Sequence, residues 1–337
     1  MTRITSYNIL AGGYNLHEKS GRRVHQLVKI IRSTQPDVVG VVEATNPRVT
    51  QKPLVIEELA EQLGMQLVMG GDATHSTDYQ LALLTRLPVV HTKIHKRPGL
   101  FTRPLLEVCV EESNGQHLTV FVTHLSAAFS KGWAGHAIRV REVREILYIT
   151  APLREQGVPH VLLGDFNSLA PGDPFKASFL LRYVVEQDSK KQNWSLADGH
   201  PHLNSVVPPR LRFLTLLLHI IPRSMLLSSL FDAVAWFYAP RGSIALLLKA
   251  GYIDCYRHIH PRARGFTCPA SAPAGRIDYI FASPSLAKHL ETCYVVTKGE
   301  DMLPGADASD HLAIAAEFGV RVRSFVPSTN LNDIVAI

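Results

Sequence analysis

Polar residues able to do chemistry stand where apolar strand sequence stops. The stretch "VLLGDFNS" (Val161–Ser168) runs three aliphatic residues into Gly164, then sets Asp165 and Asn167 either side of Phe166. Side chains alternate faces along a strand, so the acid and the amide share one side and the ring takes the other. An acid at a strand end is commonly a turn or cap residue, and one such stretch says little. The pattern recurs, however. Asn8 closes "RITSYN", Glu43 closes "DVVGVVE", His124 closes "LTVFVTH", Asp278 interrupts "RIDYIF", and Asp310 and His311, preceded by Ser309, open "HLAIAAEF". Folded proteins rarely bury such groups unpaired. If the strand ends converge, these residues satisfy one another in a carboxylate-rich cluster. Oxygens of Asp, Glu and Asn suit a hard cation such as Mg²⁺, and no thiolate joins them to favour zinc.

The elements that must position these residues are short. Several apolar runs are apolar throughout, as expected of strands covered on both faces. Between some of them lie helical patterns: Val24, Leu27, Val28 and Ile31, then Ile138, Val143, Ile146 and Leu147. The pair "LLEVCVEESNGQHLTVFV" reads as a hairpin turning at "SNG". This mixture predicts α and β elements around antiparallel-rich sheets and argues against a purely parallel Rossmann sheet. With 337 residues and 46% hydrophobic residues, the chain is long and apolar enough for one large two-sheet domain and is not a disordered one.

The quoted motifs, "SYNIL", "VVE", "THL", "GDFNS", "RIDYIF" and "SDH", appear in the order and approximate spacing of the endonuclease/exonuclease/phosphatase superfamily. The resemblance covers residues 3 to about 320, apart from a segment at 203–250. It implies an α+β fold, a four-layer α/β/β/α sandwich of two mostly antiparallel sheets, with the site at one edge of them. It also implies Mg²⁺- or Mn²⁺-dependent cleavage of a phosphoester. By matching motifs, Glu43 resembles the principal metal ligand, helped by Asn8 and Asp310. His311 resembles the general base and Asp278 the carboxylate that orients it. His124 and Asn167 resemble donors to the phosphate oxygens, and Asp165 the residue that orients the nucleophile or assists the leaving group. Two positions depart from the pattern: Val42 stands where many members have Gln before the metal-binding Glu, and Gln80 where many have Gly. The stretch after His124 is similar to one in tyrosyl-DNA phosphodiesterases, which offers Lys131, Trp133, His136 and Arg139 as substrate contacts against the plainer reading of a loop leading into a helix.

Residues 203–250 break the rhythm. They are rich in Leu, Ile and Phe, with two helix candidates, one on Leu214, Leu217, Leu218 and Ile221 and one carrying Leu227, Leu230, Phe231, Val234 and Tyr238 on a single stripe. Pro222 and Pro240 interrupt the segment, and no run approaches the roughly 20 apolar residues of a membrane span. Between His200 and Ala270, eight basic residues face two acidic ones, Asp232 and Asp254, which accounts for the whole net charge of +6. Such a region suits nucleic acid, the favoured partner, or an anionic membrane interface touched by the 203–250 insertion in a sphingomyelinase-like hydrolase of lipid or other small phosphoesters. The expected organisation is one domain over 1–320, the insertion within it, and a loose tail at 321–337. The four cysteines, in neither metal nor disulfide spacing, read as reduced thiols, and the absence of a secretory leader at Met1 points to a cytoplasmic protein. The "HPH" and "HIH" histidines (His200, His202, His258, His260) read as solvated loop residues, and Asp254 as structural, pairing with Arg257 or capping a turn.

Overall fold

The computed structural model describes residues 1–15, 21–49, 51–71, 79–190 and 215–319. In chain order these form β1 (Thr2–Asn8), a small ribbon of β2 (Tyr14–Asn15) and β3 (Gly21–Arg22), α1 (Val24–Ser33), β4 (Val38–Val42), α2 (Val55–Leu63), β5 (Gln66–Met69), β6 (Ala82–Thr85), β7 (Val89–His95), β8 (Leu105–Glu111), β9 (His117–His124), α3 (Trp133–Glu155), β10 (His160–Asp165) and α4 (Ala177–Lys190). There follow α5 (Thr215–Ile220), α6 (Met225–Tyr238), α7 (Gly242–Lys249), β11 (Ile253–Asp254), α8 (Cys255–Ile259), β12 (Asp278–Ala282), α9 (Pro284–Ala287), β13 (Leu290–Val296) and β14 (Ala313–Phe318).

Two six-stranded sheets, ordered β13-β14-β1-β4-β6-β5 and β11-β12-β10-β9-β8-β7, lie face to face. Alternate residues of both meet between them, among them Ile4, Val38, Leu83 and Ile314 from the first sheet and Val120, Val122, Leu163 and Ile280 from the second. The sheets approach closely at Gly40, where a Cβ would stand 2.0 Å from Leu163 Cδ1. The outer face of the first sheet packs on α1 and α2 through Leu27, Ile31, Val55 and Leu59. That of the second packs on α3 and α7 through Val143, Ile146, Ile244 and Leu247. The result is the expected α/β/β/α sandwich, with further helices on one side.

Each sheet is antiparallel but for one pair: β1 with β4, and β9 with β10. Those two parallel pairs place the site. Parallel neighbours end at the same edge, so Asn8 finishes beside Val42, and His124 beside Asp165. The β8–β9 hairpin forms as the sequence predicts, and its turn closes with Gly115 at φ 73° donating to the Glu112 carbonyl.

The insertion is helical in its described part, but its apolar stripe is divided. Leu227 and Phe231 pack inward against α4, whereas Leu230, Val234 and Tyr238 are exposed. The inward side also carries Asp232, which is buried and held by the Ser178 N–H at 2.8 Å and Lys176 Nζ at 3.2 Å. A helix apolar nearly all round gives its periodicity no means of choosing a face. Residues 203–214, His200, His202 and the tail at 321–337 lie outside the described residues. Among the described residues, no helix is long and apolar enough to cross a membrane.

Candidate active site

In the second sheet the site residues form a row. Asp165 pairs in register with His124 on one side and Asp278 on the other. Cross-strand partners share a face, and this face is the one that carries Val122, Leu163 and Ile280 into the core between the sheets. The row is therefore the open end of that core, where burial stays near complete: Asp165 and Asp278 are each 2% exposed. The strand reading holds for Asp165 and Phe166, whose ring packs on the outer side against Tyr279 and Phe281. It ends there, because Asn167 takes φ 47° and its N–H turns back to Asp165 Oδ1 at 2.9 Å. Gly164 is required by contact: at φ 138°, a Cβ would stand 1.9 Å from the Thr123 carbonyl oxygen.

The first sheet supplies the opposite wall. Asn8 donates from Nδ2 to Asp165 Oδ2 at 3.1 Å, across 157 residues of sequence. Glu43, at φ 54° just past β4, accepts the Ala11 N–H at 2.8 Å. Ser309 joins the two ends of the chain, donating to the Asn8 carbonyl at 2.7 Å and accepting the His311 N–H at 3.2 Å. His311 Nδ1 lies 2.9 Å from Asp278 Oδ2, which leaves Nε2 at 3.8 Å from Asp165 Oδ2. His124 Nε2 lies 3.6 Å from the same oxygen, and its buried Nδ1 has no hydrogen-bond partner.

Electrostatics separate the two histidines. Burial drives His124 well below the ordinary histidine range, and the charges of Arg103 and His311 add to this. Burial acts the same way on His311, yet Asp278, Cys268 and Asp310 overcome it and hold the proton well above that range. Asp165 is raised to about 7, first by burial and then by Asp278 beside it. Glu43 is raised too, by burial and by the charge of Asp310. These carboxylates repel one another in a shared pocket.

Asp165, Asp278 and His311 form a group able to hold a metal ion, with one ligand atom of each within 4.8 Å of the others. Glu43, Asn8 and Asp310, the set expected from the motifs, flank this group on the side of the first sheet. The donors are oxygens with imidazole and no thiolate, and the mutual repulsion of the acids is what a divalent cation would relieve. The residues present fit a hard cation.

The other expected contacts lie around the α3 start. Lys131 and Trp133 are exposed, and the Trp133 ring meets His136 edge-on at 5.8 Å. His136 sits over Gly242 of α7. Arg139 is buried behind the "GDFNS" turn, donating to Ser168 Oγ at 3.0 Å and the Ser126 carbonyl at 3.1 Å, and its charge acts on Asp165. Asn167 Nδ2 donates to the Leu125 carbonyl at 2.9 Å. Gln80 brackets the segment after Glu43, its carbonyl accepting the Ala44 N–H at 2.8 Å. His260 Nε2 lies 2.9 Å from the Cys293 carbonyl oxygen, a backbone contact. Asp254 caps α8 by accepting the Arg257 N–H at 3.1 Å, but its ion pair is with Arg276, not Arg257.

Several residues at the site carry no mark in the sequence. Arg23 ties the loop between β1 and Glu43 by donating to the carbonyls of Ile9, Leu10 and Ala308. Arg103 acts electrostatically on Glu43 and His124. Tyr183 of α4 feels the charges of Asp310, Cys268 and His311, and the Cys268 thiol is pushed up to about 11 by burial. Only Ser309, adjacent to Asp310, carries a local signal.

Comparison with known proteins agrees with this architecture. Residues 5–311 match the Endonuclease/Exonuclease/phosphatase family. No curated protein sequence matches the chain. Similar solved structures include an AP endonuclease from Archaeoglobus fulgidus, at 16% identity and TM-score 0.58 over 95% of this chain and 100% of that one. A Neisseria 3′ phosphatase, NExo, bound to product DNA hairpin is similar at 17% identity and TM-score 0.55, over 95% and 100%. Truncated TDP2 of Caenorhabditis elegans is similar at 15% and 0.53, over 95% and 97%.

Proposed function

The chain belongs to the endonuclease/exonuclease/phosphatase family and is a metal-dependent hydrolase of the phosphoesterase type, and we propose that it is a Mg²⁺-dependent phosphodiesterase acting on nucleic acid. The observation that carries this reading is the imidazole of His311, fixed through Nδ1 by Asp278 and aimed with Nε2 into a pocket of carboxylates. Glu43, with Asn8 and Asp310, would hold Mg²⁺ or Mn²⁺. The ion supplies positive charge against the phosphoryl oxygens when bound.

The chain's own residues do the rest. The negative charge that holds the His311 proton would be offset in part by a cation at Glu43 and Asp310. Nε2 would then accept the proton of the attacking water, while Asp278 fixes the tautomer and stabilises the imidazolium that results. His124, kept neutral, offers an N–H from Nε2, the nitrogen that faces the site beside Asp165, to a non-bridging phosphate oxygen. Asn167 gives one amide hydrogen to Leu125 and has the second for the phosphate. Asp165, raised to about 7, stands between water and leaving group and can hold a proton for either. Arg139 positions the "GDFNS" turn from behind, while Lys131, Trp133 and His136 line its approach. The whole of 1–320 forms the catalytic domain, with 203–250 inserted in it and 321–337 as a tail.

Exposed Arg223, Arg262 and Arg264 support an anionic polymer as substrate, as do the DNA-related names of the similar structures. One observation favours a second reading, a lipid phosphodiester: the exposed apolar side of α6. The deciding experiment presents purified protein and Mg²⁺ or Mn²⁺ with supercoiled plasmid, 5′-tyrosyl oligonucleotide, sphingomyelin and a generic diester, with EDTA and Glu43→Gln as controls. Metal-dependent cleavage of a nucleic acid is expected. Turnover of sphingomyelin alone selects the lipid reading, and hydrolysis unaffected by EDTA removes both.

A further inference from the structure

Helix α6 is inside out. Its one charged residue, Asp232, points into the protein toward Ser178 and Lys176, with Leu227 and Phe231 on the same side. Met225, Leu226, Leu230, Val234, Phe237 and Tyr238 point outward, each 48–90% exposed. A surface helix normally shows the reverse, and a contiguous exposed apolar face marks an interaction site.

Charge identifies what covers it. Exposed Arg223 precedes the helix, and Arg241 closes its far end, stacked 4.9 Å over Trp236 and donating to the Trp236 and Ala239 carbonyls. Lys249 is exposed beyond. Among the described residues, the exposed acid of the same helical layer is Glu186 on α4, four residues from Arg182. A second copy meeting this face across a two-fold axis would set one cationic rim against another, with no exposed acid on α6 or at its two ends to pair with them. An anionic bilayer answers both features: acyl chains receive the apolar stripe, and headgroup phosphates receive the arginines. The Trp236 and Tyr238 rings suit the boundary between them. At 14 residues, α6 is too short to span and long enough to lie flat.

We propose that the outer face of α6 docks the protein on an anionic lipid bilayer, the helix lying in the headgroup plane. This holds whichever phosphoester the site cleaves. Tyr183 of the neighbouring α4 packs in the same cluster as Leu227 and Phe231 and feels the charges of Asp310 and His311, so the docking face lies one helical layer from the site's electrostatic reach.

The test is sedimentation of the full chain with vesicles of phosphatidylcholine alone or mixed equally with phosphatidylglycerol. Wild-type protein pellets with the anionic vesicles. The Leu226→Ser/Leu230→Ser/Phe237→Ser variant loses about tenfold in bound fraction, while its hydrolysis of a soluble diester stays at the wild-type rate. Arg223→Gln weakens binding about threefold and flattens its dependence on salt. The proposal is overturned if wild type stays in the supernatant, or if the triple variant pellets as well as wild type. It is also overturned if the triple change instead dissolves a dimer, which assigns the face to a second copy, or weakens duplex DNA binding alone, which assigns it to nucleic acid. A wild type that pellets but cleaves no phosphoester refutes the catalytic reading and leaves the docking one standing.

Discussion

Among the described residues two buried pairs of aspartates are treated in opposite ways. Asp173 and Asp254 share Arg276, itself 0% exposed, whose guanidinium meets Asp173 Oδ2 at 2.7 Å and Asp254 Oδ2 at 2.6 Å. Arg257 adds a second cation to Asp173 at 2.8 Å. Asp165 and Asp278 are as deeply buried but have only histidines and amides beside them. The chain separates the two systems by a single residue, since Arg276 and Asp278 flank Ile277 at the start of β12. Buried charge that is neutralised from within holds the fold together. Buried charge left in excess costs stability, and the fold keeps it at the edge where the two parallel strand pairs end, the edge that would admit a cation and a phosphate in the proposed reaction.

The largest effects should fall on turnover, at residues that surround the Asp165 and Asp278 pair. Glu43→Gln and His311→Ala are each expected to lower kcat/KM for any accepted substrate by about 10³-fold or more, equivalent to about 4 kcal/mol, with melting temperatures near wild type. Near-native activity in both would sink the assignment of the site. The compensated pair should respond in folding stability instead. Arg276→Met leaves two buried carboxylates facing each other and should cost about 3–5 kcal/mol by urea titration. Adding Asp173→Asn and Asp254→Asn should recover much of that loss. If Arg276→Met unfolds no more easily than wild type, the contrast between the clusters is wrong.

The same distinction governs how much of the molecule is legible in its sequence. An uncompensated acid at the end of an apolar strand is conspicuous, so Asn8, Glu43, His124, Asp165, Asp278 and His311 stand out from the order of residues alone. The sheets that gather them are legible too, because their strands are short, apolar and broken by clear turns. The compensating cations are not. Arg276 is one among 35 Lys and Arg residues, as are the half-buried Arg23 and Arg103 near the site, and nothing local separates a buried arginine from a solvated one. The cap role of Asp254 is readable from its position, but its partner comes from 22 residues away. On α6 the composition announces a helix, while its buried face depends on the N–H of Ser178, which no periodicity carries.

A smaller effect concerns His124. Its buried Nδ1 has no partner, so truncation removes a donor to substrate without breaking a structural bond there. His124→Ala should cost about 10²-fold in kcat with KM changed little. A loss confined to KM would make His124 a binding residue and not a stabiliser of developing charge.

The smallest expected effect is also the sharpest discriminator, because it runs against intuition. Folding raises the Asp165 carboxyl from 3.8 to about 7, so between those values the folded protein holds a proton that the unfolded chain has released. Stability must therefore fall as pH rises through that window and level off above it. Asp165→Asn removes the ionisation and keeps one of the two acceptor oxygens, as the protonated carboxyl does, so it accepts from the Asn167 N–H but no longer from Asn8 Nδ2. In EDTA the variant should match wild type near pH 4 and exceed it by on the order of 1–2 kcal/mol at pH 8, although its activity is reduced. Millimolar Mg²⁺ should shrink the difference, since a cation stabilises the ionised carboxyl that the variant lacks. The corresponding change at the other pair, Asp173→Asn, should destabilise the protein at pH 8, because there Arg276 and Arg257 favour the charge. If both substitutions shift stability in the same direction, the two clusters do not differ in kind, and the excess of negative charge is not what marks the site.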